Sequence, residues 1–156
     1  LRKSLEDFLT LSSAITKGFR LAINVSGQEF FAPEYVQGVE HLLNDFNIPS
    51  SSIELEITET YVMGNPKIAA KIMESLHGIG VKISLDDFGT GYSSLGYLKY
   101  FPIDKLKIDQ SFINNFLNDN KEMALVKTII NMAKLFNMEV HAEGVEKRHK
   151  PKLCWI

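Results

Sequence analysis

Residues 81–91, Val81-Lys82-Ile83-Ser84-Leu85-Asp86-Asp87-Phe88-Gly89-Thr90-Gly91, run from an alternating apolar segment into two adjacent acids and a glycine-bearing turn. Successive side chains of a strand face opposite ways. Val81, Ile83 and Leu85 therefore share one face, and Lys82, Ser84 and Asp86 the other. The segment ends in neighbouring carboxylates, which repel unless something positive lies between them. A turn that uses Asp as a side-chain acceptor and Gly for positive φ is the alternative explanation of DDFGTG.

The same design recurs on both sides of this stretch. Leu21, Ile23 and Val25 alternate with Asn24, and Ile53, Leu55 and Ile57 alternate with Glu54 and Glu56, with Glu59 just beyond. Downstream, Leu106 and Ile108 alternate with Lys105, Lys107 and Asp109, and Val140 and Ala142 with Glu139, His141 and Glu143, with Glu146 beyond. The polar ends lie about 20 to 36 residues apart, the length of one strand plus one helix. Residues at the carboxyl ends of parallel strands converge on one face of a β/α barrel, so the pattern is the ground plan of a metal site there. A polar barrel interior has to be satisfied by ions, by a ligand or by mutual pairing, because an unpaired buried charge is costly.

An antiparallel sheet with one solvated face also alternates. The intervening segments speak against it. Pro33–Phe46 reads as a helix with Tyr35, Val36, Val39, Leu42, Leu43 and Phe46 on one side. Asn65 and Pro66 read as N-cap and first turn of a helix carrying Ile68, Ile72, Met73 and Leu76, with Gly78 placed to stop it. Asn120–Phe136 repeats the pattern through Leu125, Ile129, Met132, Ala133 and Phe136, capped by Asp119 or Asn120. Strands alternating with helices predict an α/β fold with a parallel sheet covered on both faces. A complete eight-stranded barrel needs about 250 residues. The expectation is thus a partial TIM-type (β/α) barrel of about five βα units, in a single domain over residues 1–156.

Composition bounds the function. The chain has 156 residues, 45% hydrophobic and 23% charged, which is enough for one core. A net charge of −2 argues against a DNA or RNA surface. Cys154 is the single cysteine, so an internal disulfide is excluded and a reducing compartment is expected. No stretch approaches the 18 to 20 or so apolar residues of a membrane span, and Leu1–Asp7 does not read as a signal peptide.

Five motifs in fixed order carry a resemblance: INVS at Ile23–Ser26, ELEITET at Glu54–Thr60, DDFGTGYSSLGYL at Asp86–Leu98, LKID at Leu106–Asp109 and AEGVE at Ala142–Glu146. Together they resemble the EAL domain of bacterial cyclic di-GMP phosphodiesterases, over about Arg20 to Glu146. The resemblance implies Asn24, Glu56 and Asp86 as metal ligands, Asp87 in a second metal site, and Glu143 as a further ligand or acid-base group. It implies Lys107 beside the attacking water or the phosphate. Glu59 is similar to the glutamate that holds the loop after DDFG, here Phe88, Gly89, Thr90, Gly91, Tyr92, Ser93 and Ser94. The implied cofactors are two Mg²⁺ or Mn²⁺ ions, the substrate cyclic di-GMP, and the product linear pGpG. Oxygen-rich ligands suit such hard ions, and two of them offset the charge of a phosphodiester and activate water. A cytoplasmic bacterial setting, an EAL homodimer, and GGDEF or sensory domains in a longer parent protein are also implied.

Each residue has a plainer explanation beside this one. Asn24, taken alone, reads as a satisfied strand-end amide, and Glu59 and Glu146 as solvated acids at helix starts. His41, His77, His141 and His149 lack metal-ligand spacing and read as surface or packing residues. Tyr92, Tyr97 and Phe101 read as packing groups. The DFG at Asp87–Gly89 lacks the companion motifs of a protein kinase, and GTG lacks the ending of a phosphate-binding Walker loop. A barrel aldolase using Lys107 as a Schiff base is a further reading, opposed by the surrounding acids. Two departures from the family stand out. No EAL segment precedes Arg20, and Lys147–Ile156 (KRHKPKLCWI) matches nothing in the pattern and reads as a truncation or frame change. A noncatalytic EAL-like domain that binds cyclic di-GMP or a protein partner is therefore the alternative to the enzyme.

Overall fold

The computed structural model describes residues 1–12, 19–90, 95–114 and 119–145. Five strands, β1 (Leu21–Asn24), β2 (Ile53–Thr58), β3 (Lys82–Phe88), β4 (Lys105–Ile108) and β5 (Glu139–Ala142), form one sheet in sequence order. All neighbours pair in parallel. The helices are α1 (Arg2–Ser12), α2 (Gly27–Phe30), α3 (Tyr35–Asp45), α4 (Glu59–Gly64), α5 (Pro66–Ile79), α6 (Leu95–Leu98), α7 (Gln110–Asn114) and α8 (Asn120–Leu135). Sequential order with helical crossovers is the winding of a β/α barrel.

The apolar parity of the strands is the side the helices cover. Ile53, Leu55, Ile57, Ile83, Leu85, Leu106 and Ile108 are fully buried. α3 adds Val39 and Leu43, α5 adds Ala69, Met73 and Leu76, and α8 adds Val126, Ile129, Ile130 and Ala133. Each fully buried branched side chain contributes about 1.5–3 kcal/mol relative to exposure, so this layer dominates stability. On α8 Ile129 and Ala133 are buried as expected, but Val126 and Ile130 join them in place of Leu125 and Phe136, which are exposed at 44% and 41%. Apolar residues at 125, 126, 129, 130, 132 and 133 fit two overlapping stripes, and the docking angle selects between them. Ile68 of α5, expected on the buried face, is likewise exposed.

The helix ends differ from expectation in an instructive way. Gly78 lies inside α5, and the helix stops at Gly80, whose φ of 97° is the left-handed conformation that glycine tolerates. α3 and α8 end instead on left-handed asparagines, Asn47 (φ 51°) and Asn137 (φ 57°). Beyond each, a backbone N–H reaches five residues back, Ile48 to the Leu43 carbonyl and Met138 to that of Ala133, both at 2.9 Å. Ile48 and Met138 are buried, which completes the hydrophobic contact of this helix stop. At the other end of α8, Asp119 accepts a hydrogen bond from the Lys121 N–H at 2.7 Å, and Pro66 opens α5.

The β3–β4 ladder is interrupted. Leu85 pairs with Leu106 and Phe88 with Ile108, so Asp86 and Asp87 together oppose Lys107. This is a β-bulge, and Asp87 adopts φ 54° within it. A regular strand would send consecutive side chains to opposite faces. The bulge gives the backbone the extra rotation by which both acids reach one side.

Candidate functional site at the carboxyl end of the sheet

The polar parity organises itself in two tiers, each made by a glutamate of β2 and a lysine of β4 across β3. In the lower tier Lys105 Nζ lies 2.7 and 2.6 Å from the two oxygens of Glu54, and Arg20 Nη1 donates to Glu54 Oε2 at 3.2 Å. Glu54 is 2% exposed. Burial pushes its carboxyl up, but the hydrogen bonds and charges of Lys105 and Arg20 outweigh this and hold it below the usual range. Ser84 stands in register between Glu56 and Lys105. It is fully buried, and its Oγ has no hydrogen-bond partner among the described residues.

The upper tier holds the residues expected to carry chemistry. Lys107 Nζ lies 3.1 Å from Glu56 Oε2, 3.1 Å from Asp86 Oδ1 and 2.8 Å from Glu143 Oε1. Burial works against the ammonium, yet the hydrogen bonds to Glu143, Asp86 and Glu56 overcome it and raise the lysine's pKa. Lys107 is therefore a fixed cation, which removes the free amine that a Schiff-base mechanism requires. Asp86, Asp87 and Glu143 each offer a carboxylate oxygen within 4.8 Å of the others. Asp87 is pushed above the ordinary aspartate range, first by burial and then by Asp86, Asp109 and Glu143, with Lys107 opposing. Negative charge is thus in excess in this tier. An all-carboxylate oxygen cluster with surplus negative charge fits a hard divalent cation.

Asn24 pairs in register with Glu56 at the end of β1, which places it on the same face, and it is exposed. The strand ends thus bring Asn24, Glu56, Asp86, Asp87, Lys107 and Glu143 to one rim of the sheet. Glu59 opens α4, but it is fully buried rather than solvated, and its Oε2 accepts the Gly89 N–H at 2.9 Å. Gly89 has φ 96°, and an added Cβ would lie 2.8 Å from the Phe112 ring, so glycine is required there on two counts. The Thr90 hydroxyl donates to the Asp87 carbonyl at 2.8 Å and the Asp87 N–H to Asp86 Oδ1 at 3.0 Å. The start of the loop, Phe88 to Thr90, is thereby tied to the acids. Gly91, Tyr92, Ser93, Ser94 and Glu146 lie outside the described residues.

Two features were not assigned from the sequence. Asp109 takes part by charge, raising Asp87, while its own carboxyl is held low by the Ser111 hydrogen bond at the start of α7. The lower tier of Glu54, Lys105 and Arg20 was the second. Its signal was present in the sequence, as glutamates at 54 and 56 facing lysines at 105 and 107 with the same period of two. Tyr97 and Phe101 pack against the core, as expected of packing groups.

Residues 1–154 match the family model of the EAL domain. The cyclic di-GMP phosphodiesterase NbdA of Pseudomonas aeruginosa is 38% identical over 146 residues, 94% of this chain and 19% of that protein. The solved PaMucR phosphodiesterase in complex with c-di-GMP superposes with a TM-score of 0.90 at 34% identity, covering 97% of this chain and 61% of that one. Klebsiella pneumoniae BlrP1, solved as a manganese/cy-diGMP complex, superposes with a TM-score of 0.79 at 28% identity, covering 92% of this chain and 36% of that one. The chain spans about one fifth of the length of the curated relatives it matches, 22%, 18% and 19% in three of them. Among the described residues no helix is long and apolar enough to cross a membrane. The sheet, its rim of acids and these relatives agree: the chain belongs to the EAL domain family.

Proposed function

We propose that the chain carries the phosphodiesterase site of an EAL domain and hydrolyses cyclic di-GMP to linear pGpG with Mg²⁺ or Mn²⁺. The observation that carries this reading is the upper tier, where Lys107 is held among Glu56, Asp86 and Glu143 and Asp87 is crowded by like charge. Asn24, Glu56, Asp86, Asp87 and Glu143 would hold the ions. When bound, divalent ions supply positive charge to the nonbridging phosphate oxygens and make water nucleophilic near neutral pH. Lys107, a point charge anchored by three carboxylates, offers a preorganised donor to charge developing on the phosphate or to the attacking water. Glu59 fixes the backbone of the loop through Gly89, so the loop that follows Asp87 starts from a set position. Relatives named as cyclic di-GMP phosphodiesterases support the substrate class. A cytoplasmic bacterial setting, and GGDEF or sensory domains in a longer parent protein, follow from the same reading.

A second reading is binding of cyclic di-GMP without turnover, in line with solved neighbours that hold this ligand. Incubation of the purified chain with cyclic di-GMP and Mn²⁺ or Mg²⁺, followed by anion-exchange chromatography, separates the two. A pGpG peak that disappears in Asp86→Ala supports the enzyme. Ligand-dependent thermal stabilisation with no product supports the binding domain. Neither result in the parent chain would overturn both readings.

A further inference from the structure

The bulge that brings Asp86 and Asp87 together leaves β4 without a regular ladder on its β3 side at the level of Lys107. On the other side Lys107 pairs with His141 of β5. The pairs Leu85–Leu106 and Phe88–Ile108 flank this level, but no single β3 residue pairs with Lys107, so toward β2 its position is set by side-chain contacts as well as by the ladder. One step below, Lys105 pairs in register with Ser84 and grips both oxygens of Glu54 at 2.7 and 2.6 Å. Arg20, from the residue before β1, holds the same carboxylate.

We propose that the Glu54–Lys105 ion pair, backed by Arg20, is a positioning clamp for Lys107: it sets the height of β4 against β2 so that the next lysine meets the next glutamate. Glu54 and Glu56, and Lys105 and Lys107, are two residues apart on one face, so fixing the lower pair brings the upper pair into reach. Stability alone does not account for the pair. Apolar side chains of similar volume in place of a buried ion pair are often neutral or stabilising, and setting register is the best-attested use of such a pair. A site needs its donor held to well under an ångström, since a misplacement of about 1 Å can cost about 100-fold in rate. Neither Lys105 nor Arg20 contacts the upper acids in the described network, so these are positioning residues.

The test reads Lys107 directly. Nitrogen-15 NMR of lysine ammonium groups on the full chain gives the rate at which Lys107 exchanges its protons with water, with Lys107→Arg used to assign the signal. In the double variant Glu54→Met/Lys105→Met, exchange at Lys107 is expected to accelerate at least tenfold while the chain still melts cooperatively. An unchanged Lys107 signal in that folded variant would overturn the clamp. Should the double variant not fold, Glu54→Gln, which keeps the volume and removes the charge, decides instead: at least threefold faster exchange supports the proposal and no change overturns it. Where turnover is present, the clamp also predicts a fall in kcat with KM unchanged. That consequence rests on the phosphodiesterase reading, whose failure would appear as an inactive parent chain and leave the NMR result intact.

Discussion

Two tiers built from the same parts behave in opposite ways. Below, one glutamate faces two cations, every charge has a partner, and the carboxyl is nine-tenths or more buried. Above, Glu56, Asp86, Asp87 and Glu143 crowd around one lysine, and burial together with the surplus of negative charge pushes Asp87 up. The lower tier is closed in the sense that its one carboxylate is shared by two cations and no acid is left over, whereas the upper one is open to a further cation. The difference comes from the bulge in β3 and from the acids at the strand ends, since the β2 glutamate and β4 lysine are common to both.

Asp86→Ala breaks the comparison on the open side and has the largest expected effect. It removes an oxygen from the ion cluster and a hold on Lys107, so any rise in melting temperature with Mn²⁺ is lost and pGpG formation falls by at least about 100-fold. The metal-free melting temperature moves by no more than about 4 °C, because one like charge is relieved as one ion pair is lost. Scanning fluorimetry with and without Mn²⁺ reads both. On the closed side, Glu54→Ala leaves Lys105 and Arg20 unpaired and lowers stability by about 3 kcal/mol in urea unfolding. The lower end of the range for buried pairs applies, since Arg20 is 34% exposed and can turn to water.

Gly89→Ala tests the link between the upper tier and its loop. A Cβ at φ 96°, against the Phe112 ring, costs about 1–3 kcal/mol and shifts the Gly89 N–H from Glu59, with a corresponding loss of turnover. Acid titration sharpens the contrast further. Glu54 is held below its unfolded value of 4.5, so its contribution is present above that pH and is lost as pH falls through the lower folded value. Between those values the unfolded chain binds more protons, and stability rises with pH. Melting temperatures measured from pH 6 down to about 3 should therefore fall less steeply in Glu54→Gln than in the parent. Ser84→Ala has the smallest effect. Deleting a buried hydroxyl without a partner among the described residues leaves urea stability unchanged or raises it by up to about 1 kcal/mol.

The two tiers were unequally legible in the sequence. Parity alone gave the strands, their polar ends and the alternation of strand and helix, because a period of two and a period of 3.6 are local properties. The identities of Asn24, Glu56, Asp86, Lys107 and Glu143 as rim residues followed from strand ends. What parity could not give was the destination of Asp87. Strict alternation assigns it to the face opposite Asp86, and only the bulge reverses that. The pairing of Glu54 with Lys105 depends on strand register across β3, which is set by tertiary packing. Helix stops were missed for a similar reason. Gly78 looked suitable, but Gly80, Asn47 and Asn137 take the left-handed turns, where the strand entry geometry decides.

The bulge also makes the site depend on arithmetic. Two residues of β3 stand against one of β4, so deleting a single residue between Leu85 and Phe88 would restore an even ladder while retaining every remaining amino-acid type. One acid would then be left where two now converge. The rim of this chain thus depends on how many residues lie between Leu85 and Phe88 as well as on which residues they are. A length change of one at this position would disable the rim more thoroughly than many substitutions around it.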